Sequence, residues 1–485
     1  MSESEQTAGP GAAHGSSRVI WCLLLLALVQ YSWNAITVTP LSGYDAGGHA
    51  GYILTLLEEH RLPHPLEGWS TFHPPAYYLL AAAVWAPLAP LGATVLCAGL
   101  RAISVLSILA AAVVLCDLLA ARGTALGPSA AAVALALFLP CSQLAGTMLG
   151  NEALGVAFAS LALPGVLELQ RSPGRLGAAL RAGLFTGLAL ATKFTGLFVA
   201  VACIVPFLRR GLDRRALGAA ALLAVTAAVI AGPVYLRNAW LTGSPIPMTR
   251  DQKGPAVWWE NYSVIRERRL GDYLGFPLSL LRRPTMLLRV GEVPGQRYNE
   301  AMINVWGAAY VSFWYDAFVH RIPYHFRRRG HEVWAGPLLT GLGLVPTALM
   351  LLGLALCTRD ILRGGLRTPE APLVLMTAAG LATFVAFTAR APSLVTAKGS
   401  YLLPLLVPAG LFFARGVETL PGRLRQLALA LSACAVLASA IVFTSGLVFP
   451  PSSGEAVRNG WSTVARQLPD SHIDEAVAIF LGTGK

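Results

Sequence analysis

The stretch Gly43-Tyr44-Asp45-Ala46-Gly47-Gly48-His49-Ala50-Gly51-Tyr52 places a carboxylate, an imidazole and a phenol at spacings i, i+4 and i+7. Those spacings put Asp45, His49 and Tyr52 on one face if residues 45–60 form a helix. The stretch follows the first long apolar run directly, and His73-Pro74-Pro75-Ala76-Tyr77-Tyr78 closes the same loop. A carboxylate at a membrane surface is rarely kept without a use. Further polar groups stand at the ends of later apolar runs: Asn151-Glu152, Thr192-Lys193-Phe194-Thr195-Gly196, Tyr235-Leu236-Arg237-Asn238 and Ala397-Lys398-Gly399-Ser400-Tyr401. Scattered polar residues that converge on one face of a helical bundle are what a membrane-embedded active site requires.

The elements that must position them are membrane helices. Of the 485 residues, 55% are hydrophobic and only 13% charged, and the mean hydropathy is +0.58. A soluble domain of this size carries about twice that charged share. The apolar residues come in runs of roughly 18 to 25, enough to cross a hydrocarbon core as helix. Period-two alternation is absent, which excludes an outer-membrane barrel. The fold class is therefore an all-α polytopic membrane protein. The net charge of +12 fits basic residues gathered in cytoplasmic loops and near anionic headgroups, and implies a lipid-bilayer partner and no nucleic acid. All seven cysteines fall in or beside apolar runs and read as small hydrophobes, neither disulfides nor metal ligands. No P-loop, dinucleotide fingerprint or internal repeat is present.

Eleven spans are expected, near 19–36, 95–119, 124–142, 153–169, 176–192, 195–208, 216–236, 336–357, 370–389, 401–415 and 427–447. Residues 1–18 read as a disordered tail, with no convincing cleavage site before a retained first span. Residues 75–90 are apolar but short, broken by Pro87 and Pro90; if they crossed, the sidedness of everything downstream would flip. Placing them in the interface puts every short basic loop on the side of the N-terminus: Arg122; Arg171, Arg175 and Arg181; Arg209, Arg210, Arg214 and Arg215; Arg359, Arg363 and Arg367; Arg415, Arg423 and Arg425. The positive-inside rule then sets the N-terminus in the cytoplasm. Asp45, His73, Glu152, Lys193, Arg237 and Lys398 all fall on the external side. The expected organisation is a catalytic module over 19–236 with its first external loop at 37–94, a large external loop over 237–335, C-terminal helices over 336–447 and an external tail over 448–485. The large loop carries Trp258, Trp259, Trp306, Trp314 and Arg327 to Arg329 and is expected to pack on the membrane face as short helices.

Each polar residue has a plain structural role open to it. Asp45 can cap the helix that follows, whose Ile53, Leu56 and Leu57 would partly face the bilayer. Pro75 can open a helix that Tyr77 and Tyr78 anchor among headgroups, with His73 beside them. Glu152 suits a helix N-terminus, Lys193 can snorkel, and Arg237 and Lys398 can anchor at the interface. His60 and His64 lack a third ligand for zinc, and His320, His325 and His331 lie in an arginine-rich stretch that reads as solvated or facing headgroups. Asn261-Tyr262-Ser263 matches the short glycosylation sequon, which carries little weight because the Ala-, Gly-, Leu- and Arg-heavy composition looks bacterial.

An early external-loop aspartate followed by His-Pro-Pro-x-Tyr-Tyr resembles the GT-C superfamily of integral-membrane glycosyltransferases, of the aminoarabinose transferase and protein O-mannosyltransferase type. The Lys193-Phe194-Thr195-Gly196 turn, Arg237-Asn238 and the Lys398-Gly399-Ser400-Tyr401-Leu402-Leu403-Pro404 segment resemble that superfamily as well. The resemblance implies a polyprenyl-phosphate sugar donor, a lipid, glycan or protein acceptor, and inverting transfer at the external face of a bacterial inner membrane. It implies Asp45 as general base and Glu152 as a second acid that orients the acceptor or assists Asp45. His49, Tyr52, His73, Asn238 and Tyr401 would contact substrate. Lys193 would contact phosphate, and Arg237 and Lys398 would stabilise charge on the leaving phosphate. Ala46 stands where many members have a second acid, which weakens the case for a carboxylate-bound divalent metal and still leaves one open. A transporter or lipid flippase, with ionisable residues near the midplane, and an inactive scaffold of the same fold are the alternatives.

Overall fold

Apolar runs bounded by glycine, proline and polar residues become helices throughout the computed structural model. It describes residues 10–208, 213–248, 267–290, 293–318, 332–466 and 471–482. Arg209, Arg210, Trp258, Trp259, the Asn261 sequon, His320, His325, Arg327 to Arg329 and His331 lie outside the described residues, as do residues 1–9 of the expected tail; residues 10–18 of it are helical and open the first helix.

The N-terminal half comprises α1 (Pro10–Thr37), α2 (Ala46–Glu58), α3 (Ala76–Leu88), α4 (Ala93–Ala120), α5 (Leu126–Phe138), α6 (Pro140–Gly146), α7 (Glu152–Arg171), α8 (Leu176–Thr192), α9 (Leu197–Ile204) and α10 (Arg214–Thr242). The large loop holds α11 (Ser279–Arg282), an antiparallel hairpin of β1 (Leu287–Val290) and β2 (Val293–Tyr298), and α12 (Val305–Trp314). The C-terminal part comprises α13 (Glu332–Leu342), α14 (Leu344–Gly364), α15 (Ala371–Arg390), α16 (Leu406–Glu418), α17 (Gly422–Phe443), α18 (Gly454–Ala465) and α19 (Ile473–Leu481). The fold is thus the helical polytopic one expected, with one small hairpin added in the large loop.

Among the described residues eight helical segments are long and apolar enough to cross a membrane, and α5 with α6 makes a ninth, bent by 51°. Pro140 explains the bend: it removes a helical donor and holds Leu139 in an extended conformation, with ψ of 130°. The expected spans at 176–192 and 195–208 form shorter apolar helices, Leu176–Thr192 and Phe194–Phe207. Residues 76–91 are also a short apolar helix and not one of the long segments. Val225, Val229, Leu351 and Leu437 stand exposed on the long helices, as side chains meeting lipid would. All seven cysteines are free; Cys22 and Cys434 are exposed and so differ from the core positions expected of them.

The two ends of the bundle differ. At one end the short basic loops meet: Gln170 donates to the Leu366 and Thr368 carbonyls, and Arg415 pairs with Asp360. At the other end a second apolar core gathers Tyr52, Ile53, Tyr77, Tyr78, Trp85, Leu100, Ile473 and Phe480. This core corrects two expectations. Ile53, Tyr77 and Tyr78 are fully buried, so α2 does not turn Ile53 to the bilayer and the tyrosines are not headgroup anchors. The reason is the tail: α18 and α19 fold back over α2 and supply the cover that the loop lacks by itself.

One clasp fastens that cover. His472 Nε2 bonds Glu59 Oε1 at 2.6 Å and Nδ1 bonds Glu475 Oε2 at 3.0 Å. Burial pulls His472 down, but the bonds to Glu475 and Glu59 outweigh it and hold the imidazole above its ordinary pKa. A raised folded value means that the clasp contributes fully below the unfolded histidine pKa of about 6.5 and fades as pH rises through the folded value. Limited proteolysis of the C-terminal segment is therefore expected to speed up between about pH 6 and about pH 9. His472→Gln should remove that pH dependence; an identical pH profile in both proteins would contradict the clasp.

The bundle core is closed by a glycine contact. A β-carbon on Gly353 of α14 would lie 1.8 Å from the Phe412 carbonyl oxygen of α16, a backbone atom that cannot move aside. Gly353→Leu is expected to destabilise the protein by about 1–3 kcal/mol or more, read as a lower melting temperature in detergent. An unchanged melting temperature would refute this packing.

Candidate active site

The site begins at the N-terminus of α2. Asp45 adopts a left-handed conformation, φ 56° and ψ 15°, and its side chain makes no capping bond. The capping role open to it is therefore not taken. Its carboxylate Oδ1 instead accepts a bond from Trp69 Nε1 at 2.8 Å. Asp45 is half-buried, and burial pushes its carboxyl upward. Lys398, then His49 and the Trp69 bond, outweigh burial and hold it well below the usual carboxylate range. A left-handed aspartate with an aimed carboxylate is the kind of backbone strain that gathers at functional sites.

His49, one turn into α2, is fully buried. Its Nδ1 lies 2.7 Å from the Tyr78 hydroxyl, while Nε2 is buried without a partner. Burial holds its pKa below the ordinary value against the pull of Glu152 and Asp45. His73 stacks on it with ring centroids 5.8 Å apart. Burial, reinforced by Lys193, sends His73 lower still. Both imidazoles are thus held neutral beside the acids. Tyr52 stacks on Tyr78 at 3.7 Å, which places it behind His49 as support.

Glu152 opens α7 and Lys193 ends α8. Their Oε1 and Nζ lie 2.5 Å apart with side chains only 5% and 6% exposed. The lysine is buried in an ion pair and does not snorkel to the interface. Glu152 Oε2 is buried without a partner. A β-carbon on Gly150 would lie 3.0 Å from that oxygen and 3.3 Å from His49 Nε2, so the two unpartnered atoms flank one small residue. Lys193 also lies 5.4 Å from the Tyr401 ring centroid. Lys398 is buried, with Nζ 4.7 Å from the Tyr44 ring centroid and 5.9 Å from that of Phe318. Among the described residues no carboxylate lies within ion-pair distance of it. A buried lysine stacked on aromatic rings is not an interface anchor, which corrects that alternative.

The structure thus brings Asp45, His49, His73, Glu152, Lys193, Lys398 and Tyr401 together, with Tyr52 behind them. Arg237 is used differently: its Nη2 donates to the Leu62 and Pro63 carbonyls at 3.0 and 2.9 Å, tying α10 to the first loop. Asn238 beside it is buried. The sequence reading missed Trp69 as a partner of Asp45, Tyr78 as the partner of His49, and Arg101. Arg101, buried within α4, donates to the Ala35, Val38 and Thr39 carbonyls and so fixes the end of α1 just ahead of Asp45. An arginine inside an apolar run was the available signal for it.

Ala46 follows Asp45, Trp69 occupies one of its carboxylate oxygens, and Glu152 Oε1 is paired with lysine. A divalent metal beside Asp45 would have its second oxygen, Glu152 Oε2 and His49 Nε2 to draw on. Among the described residues the group whose ligand atoms converge within 4.8 Å is Glu58, His472 and Glu475, at the opposite end of α2.

A helical, membrane-spanning bundle with a polar cluster under one end defines the class: a polytopic membrane protein with an internal charged site. No family model matches the chain, and no curated protein matches it. Solved structures do. ArnT from Cupriavidus metallidurans in the apo state is 17% identical with a TM-score of 0.52, over 96% of this chain and 76% of that one. The Archaeoglobus fulgidus oligosaccharyltransferase in complex with Zn and sulfate is 14% identical with a TM-score of 0.52, over 95% of this chain and 57% of that one. AglB from Archaeoglobus fulgidus, in complex with an inhibitory peptide and a dolichol-phosphate, is 12% identical with a TM-score of 0.52, over 97% and 60%. This chain therefore spans about three quarters of the ArnT chain and less than two thirds of the oligosaccharyltransferase. Its fold is that of ArnT and of the Archaeoglobus fulgidus oligosaccharyltransferase.

Removing one partner of the Glu152–Lys193 pair leaves a buried charge alone, which typically costs about 3–5 kcal/mol. Glu152→Gln is expected to lower the melting temperature strongly, and the double variant Glu152→Gln/Lys193→Met to recover most of the loss. A double variant no more stable than the single one would contradict the pairing.

Proposed function

We propose that the chain is a GT-C type glycosyltransferase that moves a sugar from a polyprenyl-phosphate donor to an acceptor hydroxyl on a lipid, glycan or protein. The observation that carries this reading is Asp45: half-buried, not used as a cap, and held ionised by a donor and a buried lysine. The carboxylate is thus unprotonated and available to take a proton, although its lowered pKa makes it a weaker base than an ordinary carboxylate. The polar residues also stand at helix ends and not at midspan, which favours transfer chemistry over a transport pathway.

In this reading the acceptor hydroxyl gives its proton to Asp45 as its oxygen attacks the anomeric carbon. The bond from that carbon to the phosphate oxygen breaks in the same displacement, with inversion. Negative charge collects on the leaving polyprenyl phosphate, where the Lys398 ammonium stabilises it. Lys193 is neutralised by Glu152 and holds that acid in place. The unpartnered Glu152 Oε2 and His49 Nε2 offer acceptor or donor groups that orient the acceptor. Tyr401 lines the cation side and His73 the histidine side. Arg237 holds the loop, with Asn238 beneath it. No step runs through a metal. The reaction takes place at the external face of a bacterial inner membrane, the N-terminus lying in the cytoplasm.

Purified protein incubated with a panel of radiolabelled polyprenyl-phosphate sugars and an envelope extract as acceptor source is expected to turn over at least one donor. Asp45→Asn should lower kcat roughly 10²- to 10⁴-fold while the melting temperature stays near that of the wild type. Equal turnover in both would remove Asp45 as the base, and no turnover with any donor would overturn the reading.

A further inference from the structure

Two tryptophans far apart in sequence meet behind Asp45. Trp69 lies in the loop between α2 and α3, and its Nε1 donates to Asp45 Oδ1 at 2.8 Å. Trp461, in α18 near the C-terminus, packs edge-on against Trp69 with ring centroids 6.1 Å apart at 83°. Its own Nε1 donates to the Leu41 carbonyl at 3.0 Å.

These contacts fall where the backbone is least comfortable. Leu41 and Asp45 both have positive φ, 58° and 56°, a region that aspartate enters more readily than most residues but that leucine adopts only when its surroundings insist. The C-terminal segment supplies part of that insistence: Ser452 accepts a bond from Thr39 Oγ1 and Trp461 holds Leu41. The turn that carries the carboxylate is thus clamped from outside its own loop. Gly47 shows how close the clamp comes, since a β-carbon there would lie 2.4 Å from Trp461 Cδ2. Nothing larger than glycine lets the indole reach its place.

We propose that Trp69 and Trp461 are positioning residues for the Asp45 carboxylate, so that the C-terminal helices belong to the catalytic machinery as well as to its cover. Trp69 acts directly, by holding one carboxylate oxygen and leaving the other for the acceptor hydroxyl. Trp461 acts through Trp69 and through the Leu41 turn. The proposal rests on Asp45 being the base.

The test uses the full-length protein and the polyprenyl-phosphate sugar that the wild type turns over. Trp69→Phe keeps the packing against Trp461 and deletes the N–H. It is expected to lower kcat roughly ten- to a hundredfold with KM within about twofold of the wild type. In an Asp45→Asn background the same substitution should change the residual kcat by less than about twofold, because a residue that acts through Asp45 has nothing left to act on. Trp461→Leu should lower kcat in the same way, by a smaller factor, and carries the test if Trp69→Phe melts early. Asp45→Asn as active as the wild type, or a wild type without turnover, would remove the base and the proposal with it. A slow Asp45→Asn in which the tryptophan effects multiply undiminished, or tryptophan variants that alter KM and not kcat, would overturn the positioning alone and leave the base in place.

Discussion

A carboxylate that must stay ionised while half-buried needs a cation and a donor within reach, and much of one end of this molecule is arranged around that need. Lys398 supplies the charge and Trp69 the donor. The lysine is itself taken out of water, which is tolerable because its ammonium lies over the Tyr44 and Phe318 rings. The carboxylate reaches its place only because Asp45 accepts a left-handed backbone, and Arg101 and the C-terminal segment hold the turn in which it sits. Relaxing that turn would let the aspartate swing towards capping α2, the default for its position.

The same requirement accounts for the second core. Two imidazoles, two lysines and two acids share the space beneath α2 and α3, and low dielectric strengthens every interaction among them. Water must be kept from one side of this cluster for that to hold. The loop of residues 38–92 is too small to exclude it unaided, and α18 and α19 complete the cover. The neighbouring pair Glu152–Lys193 cancels its own charge, so the field at Asp45 comes chiefly from Lys398. Buried charges left unpaired on one side are tolerated where they serve chemistry.

The helical class, the positions of the apolar helices and the gathering of Asp45, His49, His73, Glu152, Lys193, Lys398 and Tyr401 at one end were legible because they depend on local patterns: run length, helix-end polarity and loop charge. Other features depend on contacts between distant segments, and no local pattern carries them. Tyr78 looks like a headgroup anchor until it is seen stacked on Tyr52 and bonded to His49; Trp69 looks like an ordinary loop aromatic until the Asp45 turn is built. Arg237 has the position of a phosphate ligand in sequence, but two free carbonyls at Leu62 and Pro63 reach it first. The tail of residues 448–485 resembled nothing by motif, since α18 and α19 act by covering α2 and holding the Leu41 turn, contacts that no local pattern records.

The central claim of the proposal is that this end of the bundle receives a polyprenyl-phosphate sugar with its anomeric carbon beside Asp45. An experimental structure with a polyprenyl phosphate bound tests it most directly. The account predicts the phosphate within hydrogen-bonding reach of Lys398 Nζ and on the Asp45 side of the Glu152–Lys193 pair. A phosphate seated among the basic loops at the opposite end, or one that approaches Arg237 and leaves Lys398 untouched, would contradict it.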